Sequence, residues 1–120
     1  MDNERSIRQL VEQVTGRPGF MKAIGTRVLS AEAGSVSMAL DRHADLLQAN
    51  GYFHGGVISA LADHAAGGAV TTALPAGRFA LTVDLHLNFL APAKGDVLVA
   101  HAKAVKTGNV IGVARVELTT

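Results

Sequence analysis

A chain of 120 residues has room for one hydrophobic core, so residues 1–120 are read as a single domain. Eleven Lys and Arg against ten Asp and Glu leave a formal charge of +1, which excludes a field able to hold nucleic acid, and no basic run marks a membrane-surface helix. The absence of cysteine excludes disulfides, thiolate metal sites and cysteine nucleophiles. Hydrophobic residues make up 48% of the chain and aromatics only 4%, so the core is expected to be built from small and branched aliphatics. The N-terminus opens acidic and polar, and no apolar run reaches membrane-spanning length, which leads to the expectation of a soluble, cytoplasmic protein.

In chain order, Ile7, Leu10, Val11 and Val14 fall at the spacing of one helical face. Asp2 or Asn3 suits the start of that helix, and Gly16 followed by Pro18 ends it. Residues 23–30 and 34–40 read as two strands joined through Glu32-Ala33-Gly34, a hairpin. Residues 41–53 are irregular, with a turn at Asn50-Gly51. From Val57 to about Thr72 the chain has apolar or tiny residues on nearly every face, the pattern of a helix enclosed by the rest of the fold. Gly67 and Gly68 cost that helix propensity, so close packing against both is expected. Residues 79–91 carry the clearest strand alternation, with Phe79, Leu81, Val83, Leu85, Leu87 and Phe89 on a core face. After the Pro92 and Gly95 turn, residues 97–106 and 110–118 read as two further strands joined by a tight turn at Thr107-Gly108-Asn109.

One long helix wrapped by a curved antiparallel sheet accounts for this order. Such a sheet has two edges to protect, and joining edge strands between copies would protect them, so a homo-oligomer is expected.

Asp63 is the chemical anomaly. It lies on the apolar helix, where desolvating a carboxylate costs free energy and asks for a reason. The helix opens on His54-Gly55-Gly56, whose unpaired N–H groups and dipole suit negative charge developing on a carbonyl oxygen. Nine residues at about 100° each place Asp63 and His54 on roughly opposite sides of the helix. One chain cannot easily aim both at one substrate, which leaves a site shared between subunits or two unrelated roles. A purely structural alternative makes Asp63 a polar anchor bonded to Ser59. His64 points about 100° from Asp63, and His43 and His101 lack ligand-spaced partners, so no metal is expected.

The Gly51-x-x-His54-Gly55-Gly56 turn, the Leu61-Ala62-Asp63 segment and the Thr82-Val83-Asp84-Leu85-x-Leu87-x-Phe89-Leu90-x-Pro92-Ala93 stretch together resemble the hotdog-fold acyl-CoA thioesterases of the phenylacetate-degradation, PaaI-like type. The resemblance implies an α+β hotdog fold, a curved antiparallel sheet around one long central helix with a short N-terminal helix. It implies hydrolysis of small acyl or aroyl thioesters of coenzyme A, which is part of the substrate, with no separate cofactor.

Residue by residue, Asp63 matches the catalytic carboxylate, as nucleophile or general base, and the Gly55 N–H matches the group that polarises the carbonyl. His54 matches the residue that orients the turn, Gln48 the amide that holds water, and Thr82 a hydroxyl near the acid. Asn50 and Gly56 fall where the substrate approaches the turn. The resemblance also implies an active site between subunits of a homodimer or dimer of dimers. Ala91 and Asn109 stand where relatives often carry bases, so Lys94, Lys106 or Arg78 would have to hold the coenzyme A phosphates. It further implies a strand after Thr120 that these residues do not contain. The alternative function is a non-catalytic acyl-CoA binding or sensing protein on the same fold. A hotdog dehydratase is a third possibility, but its His-containing motif is not found.

Overall fold

The computed structural model describes residues 3–120, with side chains from residue 6 onward. The elements run α1 (Asn3–Thr15), α2 (Phe20–Ala23), β1 (Arg27–Glu32), β2 (Ser35–Asp41), a single 3-10 turn (Ala44–Leu46), α3 (Gly55–Thr72), β3 (Val97–Thr107) and β4 (Gly112–Thr119). The capping role expected of Asp2 or Asn3 involves residues outside those described or without described side chains. The α2 turn occupies the start of the first expected strand, because Gly19 and Gly25 bracket a short run that closes helical hydrogen bonds at Ala23, Ile24 and Gly25.

The four strands form an antiparallel meander in the order β1-β2-β3-β4, and α3 lies across β2, β3 and β4. Gly34, at φ +78, makes the turn between β1 and β2 that a residue with a Cβ rarely adopts. Alternation then sets the packing: Val36, Met38 and Leu40 of β2 and Leu98, Ala100 and Ala102 of β3 meet Leu61, Ala65 and Ala69 of α3, all at 1% exposure or less. Arg8 of α1 donates to the carbonyls of Val28 and Leu29 at 3.1 and 2.9 Å, where a register shift in β1 leaves them turned outward. That contact fastens α1 beside the sheet. At the far end of α3, Thr72 Oγ1 accepts from the Gly34 N–H at 3.1 Å and ties the helix to the hairpin. No helix of the described residues is long and apolar enough to cross a membrane.

Two expectations are corrected. The 79–91 segment bends at Val83 and joins no ladder among the described residues, and most of its apolar side chains are open: Phe79 is 70% and Val83 86% exposed. Alternation specifies an extended chain with two unlike faces, whereas a strand also needs a neighbour's backbone, and none lies alongside. The second correction concerns the glycine pair. A Cβ on Gly68 would meet Val36 at an ordinary 3.5 Å, and one on Gly67 would meet nothing within 4 Å. The close approach is at Gly112 of β4, where an added Cβ would lie 2.8 Å from Val70 Cγ1.

The two sites therefore respond oppositely to one methyl group. Gly112→Ala drives a Cβ into a branched side chain with little rotamer freedom and is expected to destabilise the protein by about 1–3 kcal/mol. Gly67→Ala removes a helix-interior glycine without a clash and is expected to stabilise it by about 0.5–1 kcal/mol. Urea denaturation of both variants checks the signs.

Candidate active site

The chain is pinned immediately before α3. The Phe53 N–H donates to Ala93 O and the His54 N–H to Leu46 O, both at 2.9 Å. His54 is then extended, at φ −64 and ψ 136, and its Nδ1 accepts the Gly56 N–H at 2.8 Å. Gly56 is needed for this, since a Cβ there would lie 2.9 Å from the same nitrogen. With the Gly56 donor satisfied, the Gly55 N–H is left without a partner among the described residues. It is a first-turn donor at the positive end of the helix dipole, the kind of group that stabilises an oxyanion.

Gln48 and Asn50 build the loop leading to this turn. The Gln48 Oε1 accepts from the Asn50 N–H at 2.5 Å and the Tyr52 N–H at 3.3 Å. The Gln48 NH2 has no partner among the described residues. Arg42 donates to Gly51 O and, at 3.4 Å, to Lys94 O, clamping this loop to residues 93–95.

Asp63 lies half-buried in the middle of α3, and its Oδ1 accepts the Thr82 hydroxyl at 2.6 Å. The bond is charge-assisted and orients the carboxylate, leaving Oδ2 without a partner among the described residues. Ser59 donates instead to Gly55 O at 2.7 Å, so the Asp63–Ser59 anchor does not form. Two hollows open on Asp63. One, of about 440 Å³, runs between residues 78–87 and the outer edge of β4, with Gly108 to Ile111 beyond it. The other, of about 660 Å³, lies between α1, α3 and residues 77–82. Neither includes the His54-Gly55-Gly56 turn, whose Gly55 at about 1.5 Å per residue stands about 12 Å from Asp63 along the helix.

Within one chain, then, Thr82 meets Asp63 and His54 meets the glycines, but the two groups stay apart. Among the basic residues, Arg78 lines both hollows and donates to Asn109 O at 2.9 Å, whereas Lys94 and Lys106 are exposed and line neither. No group of three His, Asp or Glu among the described residues is placed to hold a metal ion.

Thr15 was not singled out by the chemical reading of the sequence, and His64 was weighed there only as a metal ligand. His64 Nε2 lies 2.8 Å from Thr15 Oγ1, joining α3 to the last turn of α1. The available signal was helical spacing, since Thr15 continues the face of Leu10, Val11 and Val14. Burial holds the His64 imidazole below its ordinary range, against the opposing pull of Asp63's charge.

A family model described as the thioesterase superfamily matches residues 50–120, more than half of the chain. A candidate esterase of Halobacterium salinarum is 34% identical over 116 residues, which cover 92% of this chain and 76% of that protein. The 1,4-dihydroxy-2-naphthoyl-CoA hydrolase of Listeria monocytogenes is 28% identical over 101 residues, 84% of this chain and 82% of the hydrolase. Among solved structures, the PaaI protein of the E. coli phenylacetic acid degradation operon is similar at a TM-score of 0.86. The two are 25% identical, over 98% of this chain and 83% of that one.

The His64 shift has a testable sign. Above an unfolded-state pKa of about 6.5 the imidazole is neutral in both states and the fold keeps its full stability. As pH falls below that value, the unfolded chain takes up the proton more readily than the folded one, so stability drops. Asp63, Arg17 and Arg78 are the charged groups around the same hollow. Denaturant midpoints at pH 7.5 and 5.5 should fall further for the wild type than for His64→Gln.

Proposed function

Since the chain belongs to the thioesterase superfamily, we propose that it hydrolyses small acyl or aroyl thioesters of coenzyme A, with Asp63 as the catalytic carboxylate. The observation that carries this reading is the Asp63–Thr82 pair: a carboxylate on an apolar helix, oriented by a 2.6 Å hydrogen bond and opening on two hollows. The Listeria relative is named for an aroyl-CoA substrate, which supports the substrate class.

In this reading Asp63 Oδ2 either takes a proton from the attacking water or attacks the thioester carbon itself, giving an anhydride that water then cleaves. In both cases the carbonyl oxygen gains negative charge, the C–S bond breaks as the tetrahedral intermediate collapses, and the products are a carboxylic acid and the coenzyme A thiol. The Gly55 N–H stabilises that oxygen. Because Gly55 and Asp63 stand about 12 Å apart along one helix, the Gly55 serving a given Asp63 belongs to a second copy, and the active unit is at least a dimer. His54 fixes the turn, and Gln48 presents its NH2 from the adjoining loop. Arg78 is better placed than Lys94 or Lys106 to meet coenzyme A phosphates.

Asp63→Asn keeps the shape of the side chain and is expected to lower thiol release from aryl or short-chain acyl-CoA by at least about 100-fold. Turnover within a few-fold of wild type would refute the carboxylate's role, and tight binding without thiol release by the wild type would select a sensing protein. Gly55→Pro deletes one N–H at the first helical position, where proline is tolerated and the preceding His54 is already extended. A loss of about 100- to 1,000-fold is expected. Co-expressed Asp63→Asn and Gly55→Pro chains should regain activity, because one mixed site has both intact groups; failure to regain it would place both groups within a single chain.

A further inference from the structure

The direction of the Gly55 N–H depends on the chain that leads into α3, and that chain is a loop. The Gln48 N–H donates to Tyr52 O at 2.8 Å, the Gly51 N–H donates to Gln48 O at 2.9 Å, and Leu47 and Phe53 form an isolated bridge across its base. Gly51 turns the tip at φ +86, a conformation that a residue with a Cβ rarely adopts. These bonds give the loop its shape without fastening its tip to the rest of the molecule.

Arg42 supplies that fastening. Its own N–H donates to Asp96 O at 2.8 Å, which carries the β2–β3 pairing one residue beyond Asp41 and Val97, so the side chain springs from the sheet. The half-buried guanidinium then donates to Gly51 O at the loop tip and, at 3.4 Å, to Lys94 O. Residues 93–96 therefore hold the loop twice, at Phe53 through Ala93 O and at Gly51 through the guanidinium. The closed set of contacts ends two residues before Gly55. Arg42 has no carboxylate partner among the described residues and lines neither hollow on Asp63, so its donors are committed to backbone carbonyls. A planar guanidinium reaches two carbonyls at once, which a lysine ammonium cannot do in the same geometry.

We propose that Arg42 is a positioning residue for thioester hydrolysis: by bracing the loop at Gly51 it fixes the aim of the Gly55 N–H. The inference rests on Gly55 being the oxyanion donor. Such a donor works because it is already aimed when charge develops, and a displacement of about 1 Å can cost about 100-fold in rate. Arg42 acts through Gly55, and a group of that kind affects the chemical step more than substrate binding.

Arg42→Ala is expected to lower kcat for benzoyl-CoA by about 10- to 100-fold with KM within about threefold of wild type. Arg42→Lys, which keeps the charge and loses the fork, should recover only part of the rate. In a Gly55→Pro background, where the donor is already deleted, Arg42→Ala should cost less than about threefold more. Unchanged kcat in Arg42→Ala, or the full loss repeated in the Gly55→Pro background, overturns the proposal. A raised KM at unchanged kcat also overturns it, making Arg42 a grip for coenzyme A phosphates. Amide exchange supplies a readout independent of turnover. In Arg42→Ala the Phe53 and His54 N–H groups should exchange at least about 10-fold faster, while those of Met38 and Leu40 in the sheet keep their wild-type rates. Equal protection at Phe53 and His54, or protection lost equally in the sheet, refutes a local brace. Absence of thiol release by the wild type refutes the thioesterase reading, and faster exchange confined to Phe53 and His54 then leaves the brace standing. Thiol release with wild-type kcat and exchange in Arg42→Ala does the reverse.

Discussion

Close packing between α3 and the sheet is the constraint on which the molecule depends. Ala65 and Ala69 let the helix settle among Val36, Met38, Leu40, Leu98 and Ala100, and Gly112 lets Val70 reach the backbone of β4. Interiors packed this tightly leave no room for a stray polar group, so a charge on α3 is tolerated only where the sheet does not reach. Asp63 and His64 occupy that uncovered side. Each has found a hydroxyl from outside the helix, Thr82 for the acid and Thr15 for the imidazole. The apolar core and the polar face are thus consequences of one arrangement, a helix that the sheet covers on one side only.

The same helix holds the oxyanion donor and the carboxylate apart. A helix is rigid, and eight residues of it separate the Gly55 amide from Asp63 by a length that no small thioester carbonyl can bridge. Rigidity is useful here, since a donor fixed at a helix start needs no reorganisation when charge develops. The cap contributes directly: by taking the Gly56 N–H, His54 leaves the Gly55 N–H as the available donor.

The 79–91 segment carries the other unmet demand of the fold. Its side chains alternate as in a sheet, and it delivers Thr82 to Asp63, but its own backbone and the outer edge of β4 lack ladder partners among the described residues. Exposed edges invite pairing with another strand. The large exposed side chains Phe79, Leu81, Val83 and Phe89 sit on this stretch, so the surface most open to association adjoins the proposed site.

Much of this was legible in the chain itself. Period 3.6 marked α1, continuous apolarity marked α3, and glycine placed the Gly34 turn, because each depends on local spacing or on the sterics of one residue. The acid on the apolar helix and the His-Gly-Gly turn stood out for the same reason. The short α2 escaped because four residues carry too little periodicity to compete with the strand-like sequence beside them. The resemblance had already put Thr82 near the acid; what only the tertiary structure decided was which other groups meet: Thr15 with His64, Gly112 rather than Gly67 as the point of close approach, and residues 79–91 without a ladder. Alternation in a sequence states which side chains share a face, but a hydrogen bond or a van der Waals contact requires a second segment brought alongside, and its position is set by the packing of the whole chain.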